Sequence, residues 1–123
     1  GAAGRAKDVG ERMGKPYDHL NKTRLSGTEV KIAPATADVS GKNVLIVDDM
    51  ISTGGTIVAA KAALMEAGAL SVSVACTHGV FVNNGLERLS GTNLDVVLSC
   101  NTLENPVSNI SVAGIIADAL RNW

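Results

Sequence analysis

Apolar residues in this chain gather into short runs set apart by polar, glycine-bearing turns. The clearest run, Asn43-Val44-Leu45-Ile46-Val47, is continuous where a half-exposed strand would alternate, so it predicts a parallel strand buried on both faces. Residues 71–77 and 94–100 read as further apolar strands. Between them the spacing changes: Ile57, Ala60, Leu64 and Met65 recur at helical intervals, and Gly68 closes that helix. Ala6, Val9 and Met13 predict a helix over 5–13, ended by Gly14 with Pro16 beyond it. A short helix is expected over 83–89, closed by Gly91, and an Ala- and Ile-rich one over 110–120. Residues 17–20 and 30–35 read as short strands and 37–42 as a turn. The polar stretch 21–29 has neither period and reads as an exposed, mobile loop. Strands alternating with helices predict one α/β domain over 1–123. The expected architecture is a three-layer sandwich around a mainly parallel sheet, with ligands at the carboxyl ends of its strands.

Composition narrows the partners. At 123 residues and 46% hydrophobic, the chain can bury a sizeable core, so it is globular. No apolar run reaches the roughly 18 residues of a membrane helix, and no signal-peptide core precedes the first helix. Cys76 and Cys100, in apolar surroundings, read as reduced core thiols, and a cytoplasmic location is expected. A net charge of −1 excludes a generally basic nucleic-acid binder. Tyr17, Phe81 and Trp123 are the only aromatic residues, too few for a base-stacking platform. That near-neutral average hides an asymmetry. Residues 1–42 hold eight Lys and Arg against five acids, whereas 43–123 hold three against seven. The basic first part is suited to meeting an anionic ligand.

The candidate chemistry lies just after the central strand, in Asp48-Asp49-Met50-Ile51-Ser52-Thr53-Gly54-Gly55-Thr56. A helix starting near Gly55 or Thr56 turns its first unpaired N–H groups into this loop. Gly54 and Gly55 let backbone approach a ligand, and Ser52, Thr53 and Thr56 add hydroxyl donors, so the segment can form a phosphate cup. Asp48 and Asp49 beside it would repel a bare phosphate. They fit a ligand that also offers neutral hydroxyls, or a divalent cation, and a sugar phosphate meets the first condition. The Gly-Lys-Ser/Thr ending of a Walker loop is missing, as is the G-x-G-x-x-G spacing of a dinucleotide fingerprint. A plain capped turn would account for one hydroxyl and one glycine, not for this concentration of polar groups.

Residues 45–56 resemble the phosphoribosyl-pyrophosphate (PRPP) signature of the type I phosphoribosyltransferase fold, and within it the chain resembles the ribose-phosphate pyrophosphokinase, or PRPP synthetase, family. Other segments carry the same resemblance in order. Gly1-Ala2-Ala3-Gly4-Arg5-Ala6 is similar to the tail of the family's pyrophosphate loop. Lys22-Thr23-Arg24, followed by Glu29-Val30, is similar to its flexible catalytic loop. Ala75-Cys76-Thr77-His78-Gly79-Val80 and Ile110-Ser111-Val112-Ala113 match later segments. Ser52 stands where the family commonly has Asp, and Gly54 where it often has Ala; neither change is expected to abolish binding.

The resemblance implies a diphosphate transfer from ATP to ribose 5-phosphate. Asp48 and Asp49 would hold the ribose hydroxyls, and Ser52, Thr53, Gly54, Gly55 and Thr56 the 5-phosphate. Lys22 and Arg24 would close over the reacting phosphates, with Arg24 also reaching ribose 5-phosphate. Mg2+ would be held mainly by substrate phosphates, with Asp48 and Asp49 as the chain's candidate contacts. His19 and His78 are expected to make local hydrogen bonds. The resemblance further implies a preceding domain of similar fold, a homodimer or hexamer, and little activity in this segment alone. Two other functions compete: a phosphoribosyltransferase that consumes PRPP, and a non-catalytic regulatory paralogue. Intact Lys22, Arg24, Asp48 and Asp49 weigh against the latter.

Overall fold

A computed structural model describes residues 1–27 and 30–123. Its centre is a parallel sheet in the order β3-β4-β5, formed by β3 (Asn43–Ile51), β4 (Ser71–Gly79) and β5 (Val97–Ser99). Val44 pairs with Val72, Ile46 with Val74 and Asp48 with Cys76, so the apolar run builds the ladder and the acids sit at its carboxyl end. α2 (Gly55–Glu66) returns the chain from β3 to β4 and buries Ile57, Ala60 and Leu64. Ile57 joins Ile51, Val74, Cys76 and Leu89 in one buried cluster; Leu64 joins Val39, Ala69 and Val72 in a second. Burying one such Ile, Leu or Val side chain contributes roughly 1.5–3 kcal/mol, so α2 and its facing strands anchor the fold.

The remaining elements surround this unit. α1 (Ala2–Met13) packs beside β3 and ends at Gly14, whose φ of 64° is the left-handed C-cap that its sequence predicts. α3 (Gly85–Ser90) lies against α2 and buries Leu89 completely. α4 (Ala113–Arg121) buries no residue, and Ile115, Ile116 and Leu120 are exposed. The sheet face lined by Leu45, Ser71, Ser73 and Leu98 borders an open groove of about 400 Å³.

Several boundaries differ from the sequence expectations for physical reasons. The strand expected at 17–20 begins at Leu20 and continues to Arg24 as β1 (Leu20–Arg24). It pairs antiparallel with β2 (Val30–Pro34), Lys22 opposite Ile32 and Arg24 opposite Val30. Residues 21–24 are therefore strand, not irregular loop: backbone pairing supplies order that a polar side-chain pattern cannot reveal. Thr28 and Glu29, within the expected loop, lie outside the described residues. β3 runs past Val47 to Ile51 because its ladder continues through Met50 opposite His78 and Ile51 opposite Gly79. α4 starts at Ala113, not 110, because Ile110 bridges Cys100 and the Val112 N–H is held by Asn101.

Candidate functional site

The site forms where the polar end of β3 turns into α2. Asp48 and Asp49 lie in the strand, Ser52 and Thr53 in the turn, Gly54 at the N-cap, and Gly55 and Thr56 in the first helical turn. Gly54 is buried with φ 83°, a left-handed conformation that glycine adopts without strain. No side chain caps α2; Thr53 Oγ1 lies 3.5 Å from the Gly55 nitrogen, the outer limit of a hydrogen bond. The backbone N–H groups of Thr53, Gly54, Thr56 and Ile57 have no acceptor among the described residues. Four free donors at the positive end of a 12-residue helix make an anion-binding cup.

The two carboxylates share a counter-ion. Arg5, on α1, lies 3.5 Å from Asp48 and 3.6 Å from Asp49. Asp48 Oδ1 accepts the Asp49 N–H, and Asp49 Oδ1 accepts the Met50 N–H, both at 2.8 Å. Burial pushes the Asp48 carboxyl above its ordinary range, and the adjacent Asp49 charge adds to that effect. Asp49 is held below the usual range by its hydrogen bonds with Asp48 and Met50 and by the Arg5 charge. The pair therefore offers unequal acceptors, suited to two neighbouring hydroxyls. The described residues contain no cluster of three or more potential metal ligands. Asp48 and Asp49 alone make an incomplete cation site, so they fit Mg2+ only when substrate oxygens and water complete its shell.

α3 backs the turn. Arg88 donates to the Thr53 carbonyl, and a Cβ on Gly85 would lie 2.6 Å from the Ser52 carbonyl oxygen. Neither Arg88 nor Gly85 stands out in the sequence; the available signal is that Arg88 is one of only three cations after residue 42. Arg5 is visible as part of a Gly-rich segment, but its contact spans 43 positions and no local pattern reveals it.

Lys22 and Arg24 share one face of β1 and are exposed. No hydrogen bond or ion pair joins either to the turn among the described residues. The turn and the carboxylates are thus assembled in one place, whereas the two cations are carried by the hairpin, whose β2 strand packs against α2. His78 Nδ1 is 2.8 Å from Thr102 Oγ1, which in turn donates to the Thr77 carbonyl. His19 Nδ1 is 3.6 Å from Asp18. Both histidines are engaged locally. Cys76 and Cys100 are free thiols; Cys76 is buried, which pushes its thiol up to about 11, and Cys100 is half-buried.

Comparison with known proteins places these features in a family. The family described as phosphoribosyl transferase domain matches residues 1–113. A ribose-phosphate pyrophosphokinase of Pyrococcus furiosus is 49% identical over 120 residues, covering 98% of this chain and 43% of the relative. One from Methanopyrus kandleri is 43% identical over 122 residues, covering 99% and 42%. The crystal structure of phosphoribosylpyrophosphate synthetase from Mycobacterium smegmatis superposes with a TM-score of 0.74 at 32% identity, covering 96% of this chain and 41% of that one. The chain thus spans less than half the length of the relatives it matches.

Proposed function

The chain belongs to the phosphoribosyl transferase domain family, and from that premise we propose that it is the ribose 5-phosphate-binding domain of a ribose-phosphate pyrophosphokinase. Residues 1–113, and by extension 1–123, act as one domain of a longer enzyme that works in the cytoplasm as a homo-oligomer. The observation that carries this reading is the uncapped start of α2 beside paired carboxylates: four unpaired N–H groups for a phosphate, two acids for vicinal hydroxyls.

Ser52, Thr53, Gly54, Gly55 and Thr56 bind the 5-phosphate, and Asp48 and Asp49 accept hydrogen bonds from ribose hydroxyls. With both ends of the sugar phosphate fixed, the C1 hydroxyl has one orientation, and positioning of this kind is a large part of phosphoryl-transfer catalysis. The C1 oxygen bonds to the β-phosphorus of ATP as the bond from that phosphorus to the α–β bridging oxygen breaks. AMP leaves, and the hydroxyl proton is lost. Lys22 and Arg24 are the cations that meet the charge developing on the phosphates and on AMP. Reaching them requires the β1–β2 hairpin to close over the site, which also excludes water. When bound, Mg2+ neutralises phosphate charge, with Asp48 and Asp49 as the residues of this chain that would touch it.

The test is by product. The full-length protein given ATP and ribose 5-phosphate is expected to release AMP and PRPP. Given PRPP and free bases, it is expected to form no nucleotide. Nucleotide formation without PRPP synthesis would replace this reading by a base-transferring one.

A further inference from the structure

The anion cup depends on where two peptide groups point, and α3 controls both. The Ser52 carbonyl abuts Gly85 so closely that a Cβ there would be 2.6 Å from its oxygen and 3.2 Å from the Thr53 carbonyl carbon. The next carbonyl, of Thr53, accepts a hydrogen bond from the Arg88 guanidinium. The packing is mutual: a Cβ on Gly54 would lie 3.2 Å from both the Gly85 carbonyl oxygen and the Leu89 side chain. Leu89 is itself fully buried, so α3 cannot shift without opening the core.

Peptide geometry gives this contact a consequence. No peptide bond among the described residues is cis, and in a planar trans peptide the C=O and the following N–H point in opposite directions. Two successive carbonyls facing α3 therefore send the Thr53 and Gly54 N–H groups away from it. Those are two of the four N–H groups that lack an acceptor. A guanidinium on the Thr53 oxygen also withdraws charge from that peptide and makes the Gly54 N–H a stronger donor.

We propose that α3 is a brace for the phosphate turn, with Arg88 a positioning residue that aims and polarises the Gly54 N–H and Gly85 the point at which the Ser52 carbonyl seats. Arg88 acts through the backbone and touches no substrate. The inference rests on the ribose 5-phosphate reading of the turn and names residues outside that turn on which its affinity depends.

Calorimetry and steady-state kinetics on the full-length protein test it. R88M is expected to raise the Kd and KM for ribose 5-phosphate about tenfold, the scale of losing the one charge-assisted hydrogen bond that the Gly54 N–H gives the phosphate. KM for ATP and the melting temperature should stay at wild-type values, because Arg88 is exposed. R88K, which keeps a charged donor, should restore most of the affinity. Wild-type affinity in R88M, or no rescue by R88K, would overturn the brace. Should R88M melt early, G85A serves instead: it displaces the Ser52 carbonyl while keeping Arg88, and is expected to weaken ribose 5-phosphate in the same way. Unchanged affinity in G85A would also refute the idea. A wild-type protein that binds no ribose 5-phosphate would overturn the site reading, and the brace with it.

Discussion

Asp48 and Asp49 are neighbours in β3, yet their carboxyl groups are pushed in opposite directions. Burial and the Asp49 charge raise Asp48, while hydrogen bonds and Arg5 lower Asp49. The sign fixes the pH behaviour. An acid raised in the folded state favours folding only in its protonated form, and that contribution is lost as pH rises through the raised value. At neutral pH the Asp48 carboxylate is thus maintained against stability, as expected where function needs an acceptor. As pH falls, Asp48 protonates before Asp49, and KM for ribose 5-phosphate is expected to rise on that acid limb. D49N removes the neighbouring charge, so the limb should move to lower pH, though not fully, because burial is the larger cause. A limb that stays in place or moves upward in D49N would show that another group titrates. At this scale the sequence was legible where residues are adjacent: the acids, hydroxyls and glycines of 48–56 form one local pattern. Arg5 and Arg88 were not, because their contacts cross 43 and 35 positions and depend on how α1 and α3 pack.

The elements divide between a rigid holder and an exposed reaching part. β3, β4 and α2 share the buried clusters, and their periodicity could be read because a core imposes it. The β1–β2 hairpin is a two-stranded unit outside the parallel sheet, and its ordering comes from backbone pairing that Lys22, Thr23 and Arg24 do not announce. Such a ribbon has little stability of its own, which suits the closure proposed for it. It follows that Lys22 should act on turnover and not on ground-state binding. K22A in the full-length enzyme is expected to lower kcat about a hundredfold or more, the scale of removing a charge that meets the transition state. The Kd for ribose 5-phosphate should remain within about twofold, below the tenfold cost of a lost charged hydrogen bond. Unchanged turnover would remove Lys22 from the chemistry; a matching loss of binding would make it a ground-state contact instead.

On the proposed reading, the molecule as a whole holds the ribose 5-phosphate site more completely than the nucleotide site. All the groups assigned to ribose 5-phosphate in the turn lie between Asp48 and Ile57, braced by α3 and seated on a core made of the chain's own residues. Two open hollows lie elsewhere: one on the sheet face beside Leu45 and Ser73, the other between α1 and His19. The relatives are more than twice as long as the matched segment, which leaves room for nucleotide contacts outside it. Binding and catalysis should therefore separate in the 123-residue chain. Its Kd for ribose 5-phosphate is expected to match that of the full-length protein within several-fold, a difference of about 1 kcal/mol. With ATP present it should form no PRPP above background. Robust PRPP synthesis by the 123 residues alone would mean that the nucleotide site is complete within them and that the hairpin closes over it unaided.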